Sequence, residues 1–124
     1  MRNVTVYESS RELSARERIA MKDTSKAQKL DELIPDLEKT VVIYPVDYAI
    51  LHVSDDSTDS KEYDNLIVID ETGEKYYTGS KSFIQAFVSI WTEMQGENEP
   101  FKIECYKLPS KNYKGKFFLT CSIL

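Results

Sequence analysis

Residues 41–53 read VVIYPVDYAILHV, and this stretch decides what class of fold the chain can adopt. Most of its side chains are β-branched or aromatic, and such residues suit a pleated, half-buried strand better than a helix. Pro45 has no backbone N–H to donate, so it is expected to break the strand or to lie at a sheet edge. The stretch therefore predicts the first strand of a β-rich domain.

The rest of the chain supplies four more strand-like runs and one clear helix. Residues 65–79, NLIVIDETGEKYYTG, contain two runs around a turn at Gly73, which is typical of a hairpin. Residues 80–96, SKSFIQAFVSIWTEMQG, repeat apolar side chains at three- and four-residue spacing and predict an amphipathic helix with Ser80 or Ser82 as its N-cap. Two alternating runs follow, FKIECYKL at 101–108 and KFFLTCSIL at 116–124. The predicted order is three strands, a helix and two strands.

This order predicts a fold that is mainly β with helices, namely an OB-fold-like five-stranded β-barrel with a helix between strands three and four. Residues 41–124 are predicted to form this domain. Residues 1–40 are rich in charge and have a thin apolar stripe, so they are predicted to form an N-terminal helical or extended arm. Other α+β folds share the same element order, because order alone does not fix strand pairing.

Composition predicts a cytoplasmic globular protein. The 124 residues are 41% hydrophobic and 30% charged, close to globular averages. The sequence has no run of 18 apolar residues and no apolar segment at its start, so neither a membrane span nor an export signal is expected. Cys105 and Cys121 are the only cysteines and are expected to be free thiols, with a cross-strand disulfide as the alternative.

Charge is distributed unevenly along the chain, although the net charge is −5. Residues 1–40 hold eight basic and eight acidic residues, whereas residues 41–100 hold three lysines against twelve acids. Residues 101–124 hold five lysines against the single Glu104. Within that basic end, residues 107–116 read KLPSKNYKGK, with four lysines and no acid. Such asymmetry suggests a polyanionic partner for the basic end, and a solvated lysine loop is the alternative.

Side chains alternate between the two faces of a strand, so each predicted strand can be divided into a core face and an outer face. The predicted core faces hold Ala49, Leu51, Val53, Phe101, Ile103, Cys105, Phe117, Leu119, Cys121 and Ile123. The predicted outer faces hold Tyr48, Ile50, His52, Lys102, Glu104, Tyr106, Phe118, Thr120 and Ser122. A loop centred near Tyr113 places Cys105 opposite Cys121. One of Tyr76 and Tyr77 must point outward, and alternation does not decide which.

Exposed aromatic rings beside lysines suit single-stranded nucleic acid. Each base can stack on an aromatic side chain at about 1–3 kcal/mol per base, and lysines hold the phosphates. Any single tyrosine can equally be structural, since buried rings with solvated hydroxyls are common. The predicted nucleic-acid-binding residues are Tyr48, Lys75, Tyr76, Tyr77, Lys81, Tyr106, Lys107, Lys111, Tyr113, Lys114, Lys116 and Phe118.

Signatures of catalysis are missing from the sequence. One histidine and two cysteines give no zinc-ligand spacing, and the four glycines form no phosphate-binding loop. No nucleophile, base and orienting group can be assembled from the pattern. The sequence predicts a protein that is not an enzyme and has no cofactor and no metal site.

Residues 65–124 resemble the C-terminal half of small OB-fold single-stranded DNA-binding proteins of Gram-positive phages and conjugative mobile elements. The runs YYTGSKSF (76–83) and PSKNYKGKFFLTCSI (109–123) carry most of the likeness. The resemblance implies a protein that coats single-stranded DNA during replication or transfer without strong sequence preference. It also implies assembly of copies along the strand, with residues 1–40 as a bridging arm. Single-stranded RNA remains a possible ligand, because nothing in the sequence tests the 2′-hydroxyl.

A second hypothesis belongs to a different class of function. The acidic residues 41–100 could mimic the charge of DNA, which would make the chain a phage-encoded inhibitor of a host or defence protein. The two hypotheses are separated by whether the aromatic side chains and lysines meet on one open face.

Overall fold

The computed structural model describes residues 2–55 and 61–124, which form eight strands and three helices. The strands are β1 (Arg2–Ser9), β2 (Gln28–Lys29), β3 (Val41–Ile43), β4 (Pro45–Asp55), β5 (Lys61–Asp70), β6 (Lys75–Thr78), β7 (Ile103–Pro109) and β8 (Phe117–Ile123). The helices are α1 (Ala15–Lys22), α2 (Leu30–Leu33) and α3 (Lys81–Met94). The prediction of a mainly β fold with few helices is confirmed.

The strands form two sheets. The large sheet has the order β1-β4-β5-β6-β2 and the small sheet has the order β3-β7-β8. The outer edge of β6 is occupied by the short parallel strand β2, which pairs Gln28 with Tyr76. Across residues 2–55 and 61–124, no strand pairing links the two sheets, so they are not closed into a barrel.

The stretch at 41–53 belongs to both sheets. It breaks at Tyr44, as the position of Pro45 predicted, so that β3 pairs with β7 and β4 pairs with β5. The break is held by Asp70, whose carboxylate accepts a hydrogen bond from the Tyr44 N–H at 2.8 Å. Burial alone would raise the pKa of Asp70, but hydrogen bonds from Thr72 and Tyr44 outweigh it and keep that pKa below its usual value. One chain segment thereby fixes the two sheets to each other.

The main core lies between the two sheets and is closed by α3. Phe83 and Phe87 of α3 are fully buried in it, together with Ile43 and Ile103 of the small sheet. The cap predicted for α3 is confirmed, since the Ser80 hydroxyl accepts a hydrogen bond from the Phe83 N–H. This periodic helix is the element that brings the inner faces of both sheets together.

Two predicted outward residues of the first strand are buried instead. Tyr48 is 5% exposed and Ile50 is 6% exposed, and both belong to the main core. The prediction that they face outward was wrong because the large sheet is covered on both faces. His52 is partly exposed, at the end of the same row.

A second, smaller core covers the other face of the large sheet. It contains Ala49, Leu51 and Ile67 from the sheet and Leu13 and Met21 from the segment around α1. The buried positions predicted for Ala49 and Leu51 are therefore confirmed. The N-terminal segment is the layer that shields this face from solvent.

Residues 1–40 contribute to both cores. Strand β1 pairs antiparallel with β4, and Leu30 and Ile34 are fully buried in the main core. Helix α1 begins at Ala15, where Ser14 and Glu17 form a reciprocal capping box. Helix α2 is a single turn.

Leu30→Ala is expected to lower the free energy of unfolding by about 2–5 kcal/mol, because it leaves a cavity in the main core. Leu37→Ala is a matched control in the same segment, since that side chain is 44% exposed. The control is expected to change stability by no more than about 0.5 kcal/mol. Urea unfolding measures both values, and equally small losses would show that residues 1–40 do not support the core.

Candidate nucleic-acid interface

The β7–β8 hairpin has the register that the sequence predicted. Cys105 lies opposite Cys121, and both are buried free thiols. Burial raises the pKa of both thiols, and it raises the pKa of Cys121 to about 12. Both thiols therefore stay protonated and pack as small apolar residues of the core.

The outer face of the hairpin carries paired side chains that are partly exposed to solvent. Tyr106 lies opposite Thr120, and Leu108 lies opposite Phe118. Leu108 is 41% exposed and Phe118 is 36% exposed. Because directly opposed side chains on one face of an antiparallel pair are neighbours, Leu108 and Phe118 form one apolar platform. The outward prediction for Tyr106 and Phe118 agrees with this register, and the Tyr106 hydroxyl is hydrogen-bonded to Ser122.

Two of the residues predicted for the core face are exposed. Phe117 is 49% exposed and Ile123 is 47% exposed. Their register places them on the core-facing side, opposite Pro109 and Ile103. They lie at the two ends of β8, where no facing element covers them. Alternation therefore predicted correctly which side of the strand they occupy, but not that they are exposed.

The loop at the tip of the hairpin is a compact turn. The Ser110 N–H donates to the Lys116 carbonyl at 2.8 Å, and the Lys116 N–H donates to the Tyr113 carbonyl at 3.1 Å. Gly115 has a φ of +80°, in the left-handed region that a side chain disfavours. These two bonds and the turn at Gly115 close the loop between β7 and β8.

Three lysines and one tyrosine of this loop are solvent-exposed. Tyr113 is 69% exposed, and Lys111, Lys114 and Lys116 are exposed as well. Within the described part of the chain, no carboxylate lies within ion-pair distance of these three lysines. The described residues therefore leave the charge of these lysines unpaired, so that it is available to an anion.

A groove of about 610 Å³ runs along the platform beside the loop. Its lining residues are Leu108, Pro109, Ser110, Lys111, Asn112 and Phe118. The apolar members come from the strands, and the polar members come from the loop.

Two other lysines of the predicted site, Lys75 and Lys107, make hydrogen bonds within the molecule. The Lys107 ammonium donates to the Asp31 carbonyl at 3.2 Å and so ties the hairpin to α2. The Lys75 ammonium donates to the carbonyl of Ala20, in the last turn of α1, at 2.6 Å. It also donates to the carbonyl of Asp23, the C-cap of α1, at 3.0 Å. Lys75 thus caps a helix end, and this structural contact accounts for its position.

The tyrosines of β6 and β4 are packed rather than open. Tyr76 packs against the main core and Tyr77 against the second core. Neither tyrosine therefore faces an open surface, because both faces of the sheet are covered. Tyr48 is buried, and its hydroxyl donates to Glu8 at 2.9 Å. Burial and this bond raise the pKa of Tyr48 to about 12. In this conformation Tyr48 cannot stack on a base, contrary to its prediction.

The predicted site residues thus fall into two groups. The structure brings together Tyr106, Lys107, Lys111, Tyr113, Lys114, Lys116 and Phe118 on one hairpin. It places Tyr48, Lys75, Tyr76, Tyr77 and Lys81 elsewhere. Lys81 lines a different groove, of about 410 Å³, together with Glu62 and Asp64. The sequence reasoning missed Leu108 and Asn112, and the register of the hairpin is the signal that could have found Leu108.

The groove beside Lys81 has the opposite electrostatic character to the hairpin. His52 lies between two carboxylates, with its Nδ1 2.8 Å from Asp64 Oδ1 and its Nε2 3.7 Å from Glu62 Oε1. The hydrogen bond to Asp64 is the main cause that raises the pKa of His52 above 6.5. This groove therefore places two carboxylates beside His52 and Lys81, whereas the groove at the hairpin has no carboxylate in its lining.

The titration of His52 tests this arrangement, and its signal is unambiguous because the chain has one histidine. In an NMR titration the wild-type ring is expected to have a pKa above 6.5, and Asp64→Asn is expected to lower it more than Glu62→Gln does. Because the folded pKa is raised, the stabilisation from this pair is complete below about pH 6.5 and is lost as pH rises through the raised pKa. A wild-type midpoint at or below 6.5 would contradict the contact.

Residues 2–55 and 61–124 contain no group of three His, Cys, Asp or Glu side chains placed to hold a metal ion. None of the helices described is both long and apolar enough to cross a bilayer. Comparison of the chain with protein-family models, with curated proteins and with solved structures finds no match.

Proposed function

We propose that the chain is a non-catalytic protein that binds single-stranded DNA, without strong sequence preference, through the tip and outer face of the β7–β8 hairpin. The observation that carries the proposal is that three exposed lysines share one loop with the exposed ring of Tyr113 and have no ion-pair partner among residues 2–55 and 61–124. In a chain of net charge −5, such a local positive surface suits a ligand that is itself a polyanion.

The lysines and the aromatic rings of the site would contact different parts of the nucleic acid. Lys111, Lys114 and Lys116 would contact phosphates, which gives affinity that falls as salt rises. Tyr113 and Phe118 would stack on bases, which any base permits because every base has a π-face. A closed duplex hides those faces, so the exposed rings favour single strands. Single-stranded RNA offers the same groups and is the related ligand to test.

The strand connectivity supports an OB-like domain as the scaffold. The segment formed by β3 and β4 contributes to both sheets, as the long first strand does in a five-stranded Greek-key barrel. Helix α3 lies between the third and fourth strands of that scheme, and Ser82 donates to the Leu119 carbonyl of β8 at 2.6 Å. The departure from a closed barrel is β2, which occupies the edge of β6. Assembly of copies along DNA through residues 1–40 stays a prediction.

The first experiment is fluorescence anisotropy of the full chain with labelled oligo-dT, the same sequence as a duplex, and an RNA strand, each at two salt concentrations. The proposal expects salt-sensitive binding to the single strand and weaker binding to the duplex. Absence of binding to all three would overturn it and would favour the acidic-mimic hypothesis, which is then tested with protein targets.

A triple variant locates the site. Lys111→Ala with Tyr113→Ala and Lys114→Ala is expected to weaken oligo-dT binding by about tenfold or more, because one stacking ring and two phosphate contacts are lost. The slope of log affinity against log salt is expected to fall by about 1.4.

The matched control removes the same groups elsewhere. Tyr7→Ala with Lys22→Ala and Lys39→Ala deletes one ring, 73% exposed in the wild type, and two exposed lysines. It is expected to leave the affinity unchanged. Equal weakening by the two triple variants would show that binding depends on total charge rather than on the hairpin.

A further inference from the structure

We infer that the groove along the Leu108–Phe118 platform is a subsite for one unstacked nucleotide, and this inference rests on the proposed function. It assigns a role to Leu108 and Asn112, which the phosphate and stacking contacts at the loop tip do not use. The groove is separate from Tyr113, which is not among its lining residues.

The size and lining of the groove suit a nucleotide. Its volume of about 610 Å³ falls within the roughly 300–1,000 Å³ typical of sites that hold small molecules. Such sites combine apolar walls with a few convergent polar groups. Here Leu108, Pro109 and Phe118 form the apolar wall, and Lys111 and Asn112 supply an ammonium and an amide.

The occupant follows from the character of those groups. A flat apolar platform next to a cation with no ion-pair partner among the described residues suits a ligand with a flat ring and an attached negative charge. A nucleotide has both, joined by its sugar. The base would lie over Phe118 and Leu108, while its phosphate contacts Lys111.

Asn112 gives this subsite a contact to the edge of the base. A side-chain amide carries two donors and an acceptor with two lone pairs, so it can pair with donors or acceptors on a base edge. Such a contact strengthens binding of a base without selecting one of the four. It is therefore compatible with binding that has little sequence preference.

The test compares oligo-dT with an abasic strand of the same length, which keeps the sugars and phosphates but has no bases. The measured quantity is the ratio of the abasic Kd to the oligo-dT Kd for the full chain. The wild-type ratio is expected to be at least about fivefold. Leu108→Ser is expected to lower the ratio while leaving affinity for the abasic strand unchanged.

Phe117→Ser is the matched control for Leu108→Ser. Phe117 is exposed to a similar degree, 49% against 41%, but its register places it on the opposite side of the same hairpin. It is expected to leave the ratio unchanged. The inference is overturned if the control lowers the ratio as much as Leu108→Ser does, or if neither variant lowers it.

Asn112→Ala keeps the test decisive if Leu108→Ser does not fold. Asn112 is an exposed loop residue with no structural contact to lose in the described hydrogen-bond network, so its variant is expected to fold. It is expected to weaken binding to oligo-dT but not to the abasic strand. Equal binding of both strands by the wild type would overturn both the subsite and the stacking of bases in the proposed function. A wild-type preference for oligo-dT that neither Leu108→Ser nor Asn112→Ala lowers would overturn the subsite alone. Binding of neither strand would overturn the proposed function itself.

Discussion

Both sheets depend on the junction at Tyr44 and Pro45. The chain leaves the small sheet at Ile43 and enters the large sheet at Pro45, and Asp70 fixes this passage by accepting the Tyr44 N–H. Asp70 is only 6% exposed, so its charge must be compensated by hydrogen bonds, which it receives also from Thr72. The inner faces of the two sheets can meet α3 only because this junction sets their relative position.

The layers around the large sheet explain why the candidate site lies on the hairpin. One face of that sheet is occupied by the main core, and the other is covered by Leu13 and Met21. Tyr77 and Lys75 are engaged in contacts with the covering layer or with α1. The exposed rings of Tyr113 and Phe118 and the exposed Lys111, Lys114 and Lys116 lie instead on β8 and on the loop between β7 and β8.

Charge is separated in space as well as in sequence. The lysines of the loop have no carboxylate partner among the described residues, whereas Glu62 and Asp64 lie around His52 at the end of the large sheet. An anion is attracted more strongly to the first region than to the second.

The sequence by itself determined the elements with strong local signals. The strands around residue 50 and after residue 100, the break at Pro45, the helix capped by Ser80 and the register of Cys105 against Cys121 all follow from periodicity, proline chemistry and capping. It also indicated the exposed lysine loop, because four lysines without an acid in ten residues are costly to bury. Only the tertiary structure decided that Tyr48 is buried, that β2 occupies the edge of β6, and that Leu30 reaches the main core. The physical reason is that alternation tells which side chains share a face, whereas burial depends on which distant segment covers that face.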